Sequence, residues 1–133
     1  MMHHLETVEG RALPGGSYSL AVADEHTVYL AGHFGKSAEG ELPERFEDEV
    51  ALALDNFGAT LAEYGLSFAD VAQVTCVLTD VASFAEFDRV YRTRFTAPFP
   101  ARMTYGVALA GGLRFEIIGT AVRGGAGKAA TRA

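Results

Sequence analysis

The amino-acid sequence predicts a single α+β domain in which two helices cover one face of a mixed β-sheet, with the element order β-β-α-β-α-β-β. Three observations lead to this prediction. The 133 residues are about one domain's length of chain. Apolar residues make up 49% of the chain, which is enough for a packed core. Strand-like segments are separated by two segments whose apolar residues recur at helical spacing.

Two strands are predicted at the start of the domain, over residues 17–23 and 27–31. The polar link Asp24-Glu25-His26 between them is short, so a hairpin is the simplest arrangement. Residues 32–40 are rich in glycine and polar side chains and are predicted to form a loop.

The first helix is predicted to begin near Pro43, because proline suits the first helical position and acidic residues follow it in the first turns. Gly65 is a natural C-terminal stop. Between them the apolar residues recur at steps of three and four and form one stripe: Phe46, Val50, Ala53, Leu54, Phe57, Leu61 and Tyr64.

A third strand is predicted over residues 71–79, which are β-branched and apolar enough to be buried on at least one face. Cys76 within it is better explained as a small apolar core residue than as a nucleophile. A second helix is predicted over about residues 81–95, before the prolines at 98 and 100. Its buried side is expected to contain Phe84, Phe87, Val90 or Tyr91, and Phe95.

Two final strands are predicted over residues 102–109 and 113–122. Ala110-Gly111-Gly112 joins them, and its paired glycines can supply the positive φ angles of a tight turn. Residues 1–123 therefore form one domain, and residues 124–133 are expected to be a flexible C-terminal tail.

The open face of the predicted sheet has no cover within the chain, because both helices lie on the other face. An uncovered apolar sheet face implies a partner surface, and closed symmetric homo-oligomers are the commonest solution. Self-association is therefore expected. The apolar strand residues on which this expectation depends are Leu20, Val22, Val28, Leu30, Val74, Cys76 and Leu78.

Composition argues against several classes of function. A net charge of −6 does not suit a nucleic-acid binder. A single cysteine excludes an intrachain disulfide and a cysteine-based metal cluster within one chain. No run of about 18 apolar residues and no secretory N-terminus is present, so no membrane association is predicted and a cytoplasmic location is expected. The pair His3-His4 lacks further ligands at metal-binding spacing.

Seven pieces of the chain, in order, carry a family resemblance. They are PGGSYSLAV at 14–22, VYLAGH at 28–33, Asn56, VTCVLTD at 74–80, the helical segment 84–91, FPAR at 99–102 and FEI at 115–117 followed by Ala121-Val122. From about Pro14 to Arg123 the sequence thereby resembles the RidA family, also called YjgF or L-PSP. The closing P-A-R segment and the acidic last strand are the strongest signals.

The resemblance implies a chorismate-mutase-like, RidA-like α+β fold. It also implies a homotrimer whose sheets form a central barrel-like core, with three clefts between neighbouring subunits. In active members the reaction is hydrolysis of a reactive enamine or imine, such as 2-aminoacrylate or iminopropanoate, to a 2-keto acid and ammonia. A small carboxylate-bearing substrate is implied, and no metal or organic cofactor.

Two residues are assigned catalytic roles by the resemblance. Arg102 matches the motif arginine, and its guanidinium can donate two N–H groups to a carboxylate. From spacing alone, a surface salt bridge is the more ordinary explanation of Arg102. Glu116 matches the acidic residue, and hydrolysis of an imine needs a group that orients water and moves its proton. From sequence alone, Glu116 is equally an exposed strand residue on the same side as Arg114.

Four further residues are assigned to substrate binding. Tyr18 can form an aromatic wall or donate a hydrogen bond, although an ordinary half-buried strand tyrosine would look the same. Gly32 can let the backbone approach a ligand, or it can be a simple loop glycine. Thr104 stands where many members carry cysteine, and its backbone N–H can bind a carboxylate oxygen. Phe87 is assigned to the same site from the second helix.

Two substrate-site positions depart from the family pattern. Asp88 stands where better-known deaminases commonly have asparagine, and an ionised aspartate only accepts hydrogen bonds, so it would repel an anionic substrate unless a cation intervenes. His33 stands where they commonly have glutamine. It can titrate near neutral pH and transfer protons, but a lone loop histidine is more often a structural hydrogen bonder.

The leading hypothesis from the sequence is a cofactor-free imine or enamine deaminase. Two alternatives stay open: a non-catalytic oligomer that binds small carboxylates, and a dedicated pathway enzyme with another substrate. Ribonuclease activity, attached to some members by name, is disfavoured by the acidic charge balance.

Overall fold

Six strands and two α-helices build the fold of this computed structural model, which describes residues 1–124. The predicted tail lies outside the described residues except for Gly124. The strands are β1 (His3–Leu5), β2 (Ala21–Ala23), β3 (Thr27–Phe34), β4 (Val71–Leu78), β5 (Ala101–Gly106) and β6 (Phe115–Val122). The helices are α1 (Phe46–Ala62) and α2 (Phe84–Tyr91).

The sheet order is β1-β2-β3-β6-β4-β5, and every neighbouring pair is antiparallel except β4 with β5. The predicted hairpin between the last two strands was wrong, because β6 lies between β3 and β4. Phe115, Ile117 and Ala121 of β6 are 0% exposed, and such complete burial is available only to a strand in the centre of the sheet. Strand β5 is mostly exposed and occupies the edge. Gly111 and Gly112 do adopt positive φ angles, of 69° and 77°, within the longer connection between these strands.

Both ends of the first hairpin differ from the prediction. Residues 3–5 form a strand that was not predicted, and it pairs with β2, which is shorter than predicted. Strand β3 continues to Phe34 into the region predicted as a loop. A register irregularity between Leu30 and His33 lets β3 pair with β6 along this extended length.

Helix α1 packs the predicted apolar stripe against the sheet. Val50, Ala53, Leu54, Phe57 and Leu61 are all 0% exposed. The helix begins at Phe46, after the extended N-cap residue Arg45, and not at Pro43. It ends at Ala62, and Gly65 follows with a φ of +70° as its position after the helix requires.

Helix α2 is shorter than predicted. A 3₁₀ turn (Val81–Ser83) precedes it, capped by the Asp80 side chain, which accepts a hydrogen bond from the Ala82 backbone N–H at 3.0 Å. The helix ends at Tyr91, yet Phe95 is still buried and stacks on Tyr91 with 4.4 Å between ring centroids. Phe87 contacts Phe115 of β6 at 5.3 Å, so both helices cover the same sheet face, as predicted.

The open sheet face is apolar. However, most of the residues from which this was predicted have side chains on the opposite, helix-covered face. Leu20, Val28, Leu30, Val74, Cys76 and Leu78 are buried in the core, and of that set only Val22 pairs on the open face, with Tyr29. Exposed apolar residues still occur there: Tyr29, Met103, Tyr105 and Ile118. Within residues 1–124, no helix has the length and apolar character needed to cross a membrane.

Candidate active site

Arg102 lies on the edge strand β5, and its side chain points to the helix-covered face. Its Nη1 donates a hydrogen bond to Oδ1 of Asp88 on α2 at 2.8 Å, which is also an ion pair. The guanidinium carbon lies 4.6 Å from the ring centroid of Tyr91 and 5.2 Å from that of Phe87. These rings hold the guanidinium by cation–π contact, so Arg102 is a positioned cation and not a mobile surface side chain.

A surface pocket of about 400 Å³ opens over this arginine. Its volume is large enough for a small organic acid. Both partners of the ion pair contribute to its wall, with side chains 23% and 28% exposed. The lining residues are Asp88, Tyr91, Arg92, Phe99, Pro100 and Arg102.

Two buried hydroxyl groups near Arg102 have no hydrogen-bond partner within the described residues, those of Tyr91 and Thr104. The Arg102 guanidinium lies close to Tyr91, but no hydrogen bond of normal geometry forms between them. Burial raises the pKa of Tyr91 to about 12. Tyr91 lines the pocket, so its unpaired hydroxyl is a candidate ligand contact, whereas the Thr104 hydroxyl is buried and does not line the pocket.

Glu116 lies on the opposite face of the sheet from Arg102. Paired strand residues share a face, and Glu116 pairs with Val77 while Arg102 pairs with Val74, three residues away on the same strand. Strand β6 does not pair with β5. The sequence-based expectation that these two strands form a pair was therefore wrong, and within one chain the two residues cannot act on one ligand.

Gly32 makes room for the Glu116 carboxylate. A Cβ atom at position 32 would lie 2.2 Å from Glu116 Oε2, far inside van der Waals contact. Burial raises the pKa of the Glu116 carboxyl above its ordinary value. The carboxylate is thus partly shielded from water beside the bare backbone of Gly32, which makes it a stronger proton acceptor than an exposed glutamate.

His33 lies within β3 and is only 4% exposed, so it is not a loop residue. One ring nitrogen, Nδ1, is 2.7 Å from the Ala31 carbonyl oxygen, and Nε2 is 2.8 Å from Thr60 Oγ1. Burial lowers the pKa of His33. With both ring nitrogens satisfied inside the protein, the neutral imidazole links β3 to α1, which is the structural role that the sequence left open.

Tyr18 is 40% exposed and lies near Gly32 and His33 around a small cavity of about 20 Å³. This cavity holds about one water molecule and no substrate. Tyr18, Gly32 and Glu116 therefore lie apart from the pocket over Arg102. The predicted site residues thus fall into two groups. Arg102, Asp88, Phe87 and Thr104 lie together near α2, whereas Tyr18, Gly32, His33 and Glu116 lie around β3 and β6, away from that pocket.

Tyr91 was missed as a site residue. Its helical spacing indicated only a core position, and the signal that it lines the pocket is its place one turn after Phe87, on the same side of α2. Among residues 1–124, no group of three or more His, Cys, Asp or Glu side chains could hold a metal ion.

Comparison with known proteins identifies the family. The family model described as Endoribonuclease L-PSP matches residues 9–123. The chain belongs to the RidA/YjgF/L-PSP family. This RidA-family chain is 39% identical over 112 residues to a 2-iminobutanoate/2-iminopropanoate deaminase of Bos taurus, with 82% of each chain covered. It is 36% identical to the Homo sapiens protein of the same name, with the same coverage.

Solved RidA-family structures share the fold. RidA from the Antarctic bacterium Psychrobacter sp. is 30% identical with a TM-score of 0.85, covering 90% of this chain and 99% of that one. TdcF from E. coli, solved with bound serine, is 28% identical with a TM-score of 0.86, covering 92% and 100%. These similarities confirm the predicted RidA-like α+β fold.

Proposed function

We propose that this chain is a cofactor-free hydrolase that deaminates reactive 2-imino and 2-enamino acids to 2-keto acids and ammonia. Relatives covered over 82% of their length carry the name of this activity. The observation in the structure that supports it best is Arg102, a cation held by aromatic rings in the wall of a pocket that Tyr91 also lines. Such a group binds and orients the substrate carboxylate.

The active site is completed by a second copy of the chain. Arg102 and Glu116 lie on opposite sheet faces, so one subunit supplies the carboxylate-binding pocket and its neighbour supplies Glu116. The apolar open face, with Ile118 48% exposed and Met103 64% exposed, is the surface on which copies associate. A homotrimer with three clefts satisfies both requirements.

In the proposed reaction Glu116 orients a water molecule and accepts a proton from it as the oxygen attacks the imine carbon. The carbinolamine then loses ammonia, and the proton returns to the departing nitrogen. Water supplies the oxygen of the 2-keto acid, and no electrons are exchanged. The raised pKa of Glu116 makes its carboxylate a better proton acceptor than that of an ordinary glutamate.

Ammonia release from 2-aminoacrylate generated in situ tests the activity. The wild-type protein should accelerate it, Arg102→Gln should raise KM strongly, and Glu116→Gln should lower kcat by about 10²–10⁴-fold, as expected for loss of general acid–base catalysis. Full activity in Arg102→Gln would exclude the proposed carboxylate site.

Mixing the two inactive variants tests the shared site. Co-refolded Arg102→Gln and Glu116→Gln subunits should form some clefts in which both residues are intact. For random assembly of an equal mixture, about a quarter of the clefts recover. Activity that stays at the level of the separate variants would show that Arg102 and Glu116 do not meet between subunits.

A binding function without turnover is the second candidate, because Asp88 already occupies the guanidinium of Arg102. Soaking with 2-oxobutanoate, alongside the ammonia assay, separates the two: a ligand bound in the pocket without ammonia release would favour it. Ribonuclease activity is not proposed, because the chain carries a net charge of −6.

A further inference from the structure

The ion pair between Asp88 and Arg102 sets the charge of the pocket. Oδ1 of Asp88 is 2.8 Å from Nη1 of Arg102, and both side chains are more than two thirds buried. At this separation and burial the attraction is little screened by solvent. The guanidinium that must receive a substrate carboxylate is therefore already neutralised by a protein carboxylate.

The other titratable groups around this pair do not alter that balance. Burial raises the pKa values of Tyr91 and Cys76 to about 12, so both are uncharged at neutral pH. Arg92 lines the pocket as well, but it is exposed and its charge is screened by water. The inner part of the pocket carries one positive and one negative charge.

The hydrogen-bonding groups that remain free on Asp88 and Arg102 determine which ligands the pocket can bind. Arg102 has five N–H donors, so it can bind a carboxylate through other donors while Asp88 stays in place. Within residues 1–124, Oδ2 of Asp88 accepts no hydrogen bond. A ligand that brings only a carboxylate adds an uncompensated negative charge next to Asp88. A ligand that also carries a cationic nitrogen on the next carbon compensates it.

We propose that Asp88 is a specificity-determining residue that selects 2-iminio and 2-ammonio acids over 2-oxo acids. The proposal rests on the function proposed above and names the charge state of its substrate. The reaction R–C(=NH2⁺)–COO⁻ + H2O → R–CO–COO⁻ + NH4⁺ removes the cation from the ligand. Asp88 thus favours the substrate and weakens binding of the product, which limits product inhibition.

Titration calorimetry with a matched ligand pair tests the proposal. The probes are 2-aminobutanoate, which is zwitterionic, and 2-oxobutanoate, which has the same carbon chain and only the carboxylate. The measured quantity is the ratio of their Kd values. Asp88→Asn keeps the side-chain shape, removes the negative charge, and should shift the ratio toward 2-oxobutanoate by about tenfold or more, as expected for loss of one close charge interaction.

Asp55→Asn is the matched control. Asp55 pairs with Arg94 at 2.9 Å outside the pocket, so this variant makes the same change in net charge elsewhere. It should leave the ratio within about twofold of wild type. In the ammonia assay, inhibition by 2-oxobutanoate should be stronger in Asp88→Asn than in either the wild type or Asp55→Asn. Asp88→Ala provides a second variant with the same expected direction.

An unchanged ratio in both Asp88 variants overturns the selection role of Asp88 and leaves the proposed deaminase function standing. The Arg102→Gln variant tests whether the carboxylate site itself, and with it the proposed function, is wrong. If it binds both ligands as tightly as wild type does, or if wild type binds neither, the carboxylate site at Arg102 is wrong and the inference falls with it.

Discussion

At the scale of single residues, position 32 shows how a missing side chain makes room for Glu116, the proposed general base. Gly32 does not have a positive φ angle, so its role is space and not backbone freedom. The atom that a Cβ would meet is the end of the flexible Glu116 side chain, which can move aside at little cost. The consequence of a substitution should therefore be functional.

We expect Gly32→Ala to lower kcat toward that of Glu116→Gln while changing the free energy of unfolding by less than about 1 kcal/mol, because only the flexible end of Glu116 must move. Parallel kinetics and urea denaturation measure both quantities. Gly124→Ala is not a suitable comparison because Gly124 has a φ of +79°; Gly15→Ala, which meets no atom within 4 Å, is the control. A variant with normal kcat would show that Glu116 does not need its present position.

His33 makes stability depend on pH. Burial lowers its pKa in the folded state below the ordinary value of 6.5, so the unfolded chain takes up a proton first as pH falls. The stability contributed by the neutral imidazole is thus fully present above about pH 6.5 and is lost on acidification below it. We expect the melting temperature to fall between pH 6.5 and pH 5 more steeply in wild type than in His33→Gln.

His26→Gln, which removes a histidine whose side chain is 77% exposed, is the control for this pH series. It should retain the steep fall. Equal slopes in wild type and His33→Gln would assign the acid sensitivity to other groups.

At the scale of elements, the helices and most strands could be predicted because their apolar spacing is set by the chain itself. Helix α1 follows its stripe from Val50 to Leu61. The separation of β5 from β6 in the sheet could not be predicted, because nearness in sequence favours a hairpin between them. The burial of Phe115 and Ile117 instead makes β6 a central strand. Strand β1 was missed because three residues are too few for a periodic signal.

The same contrast holds for the candidate site. The P-A-R motif predicted Arg102 as a site residue, and the structure places Asp88 and Phe87 of α2 beside it. Their roles in substrate binding stay predictions. The separation of Arg102 and Glu116 onto opposite faces depends on strand register, which a single sequence does not specify across non-adjacent strands.

An ion pair between the buried Glu49 and the partly exposed Arg114, which the sequence did not predict, ties α1 to the start of β6. Glu49 is 0% exposed, and its two carboxylate oxygens accept hydrogen bonds from the Arg114 backbone N–H at 2.8 Å and from Nε at 2.6 Å. Arg114 also donates to the Pro43 carbonyl oxygen at 3.0 Å. Removing the arginine would leave a buried carboxylate without its charge partner.

We expect Arg114→Met to lower the free energy of unfolding by about 3 kcal/mol. Arg94→Met breaks the more exposed pair with Asp55 and should cost less than about 1 kcal/mol. Guanidinium denaturation at one fixed protein concentration compares them. Equal losses of unfolding free energy in the two variants would mean that the burial of Glu49 does not increase the stability contributed by its ion pair.

At the scale of the whole molecule, the open sheet face and the separation of Arg102 from Glu116 both support the proposed homotrimer. The face carries Tyr29, Met103, Tyr105 and Ile118 with 47–64% exposure, and residues like these in water favour association. The predicted self-association was inferred from side chains that mostly point inward, so its support now comes from this different set.

A charge placed on that face should dissociate the assembly. We expect Ile118→Lys to reduce the mass in light scattering from that of a trimer to that of a monomer, and to abolish deaminase activity with it. Ala62→Lys, at the exposed end of α1, should retain the assembly. An Ile118→Lys protein that keeps the wild-type mass would show that copies associate elsewhere.

The central position of β6 also bears on how the chain is made. Strands β3 and β4 are both synthesised before the strand that lies between them, Phe115–Val122. A nascent chain therefore has two unpaired strand edges until residues 115–122 have emerged from the ribosome. The sheet cannot close before then, and chains truncated before residue 115 should aggregate instead of persisting as partly folded monomers.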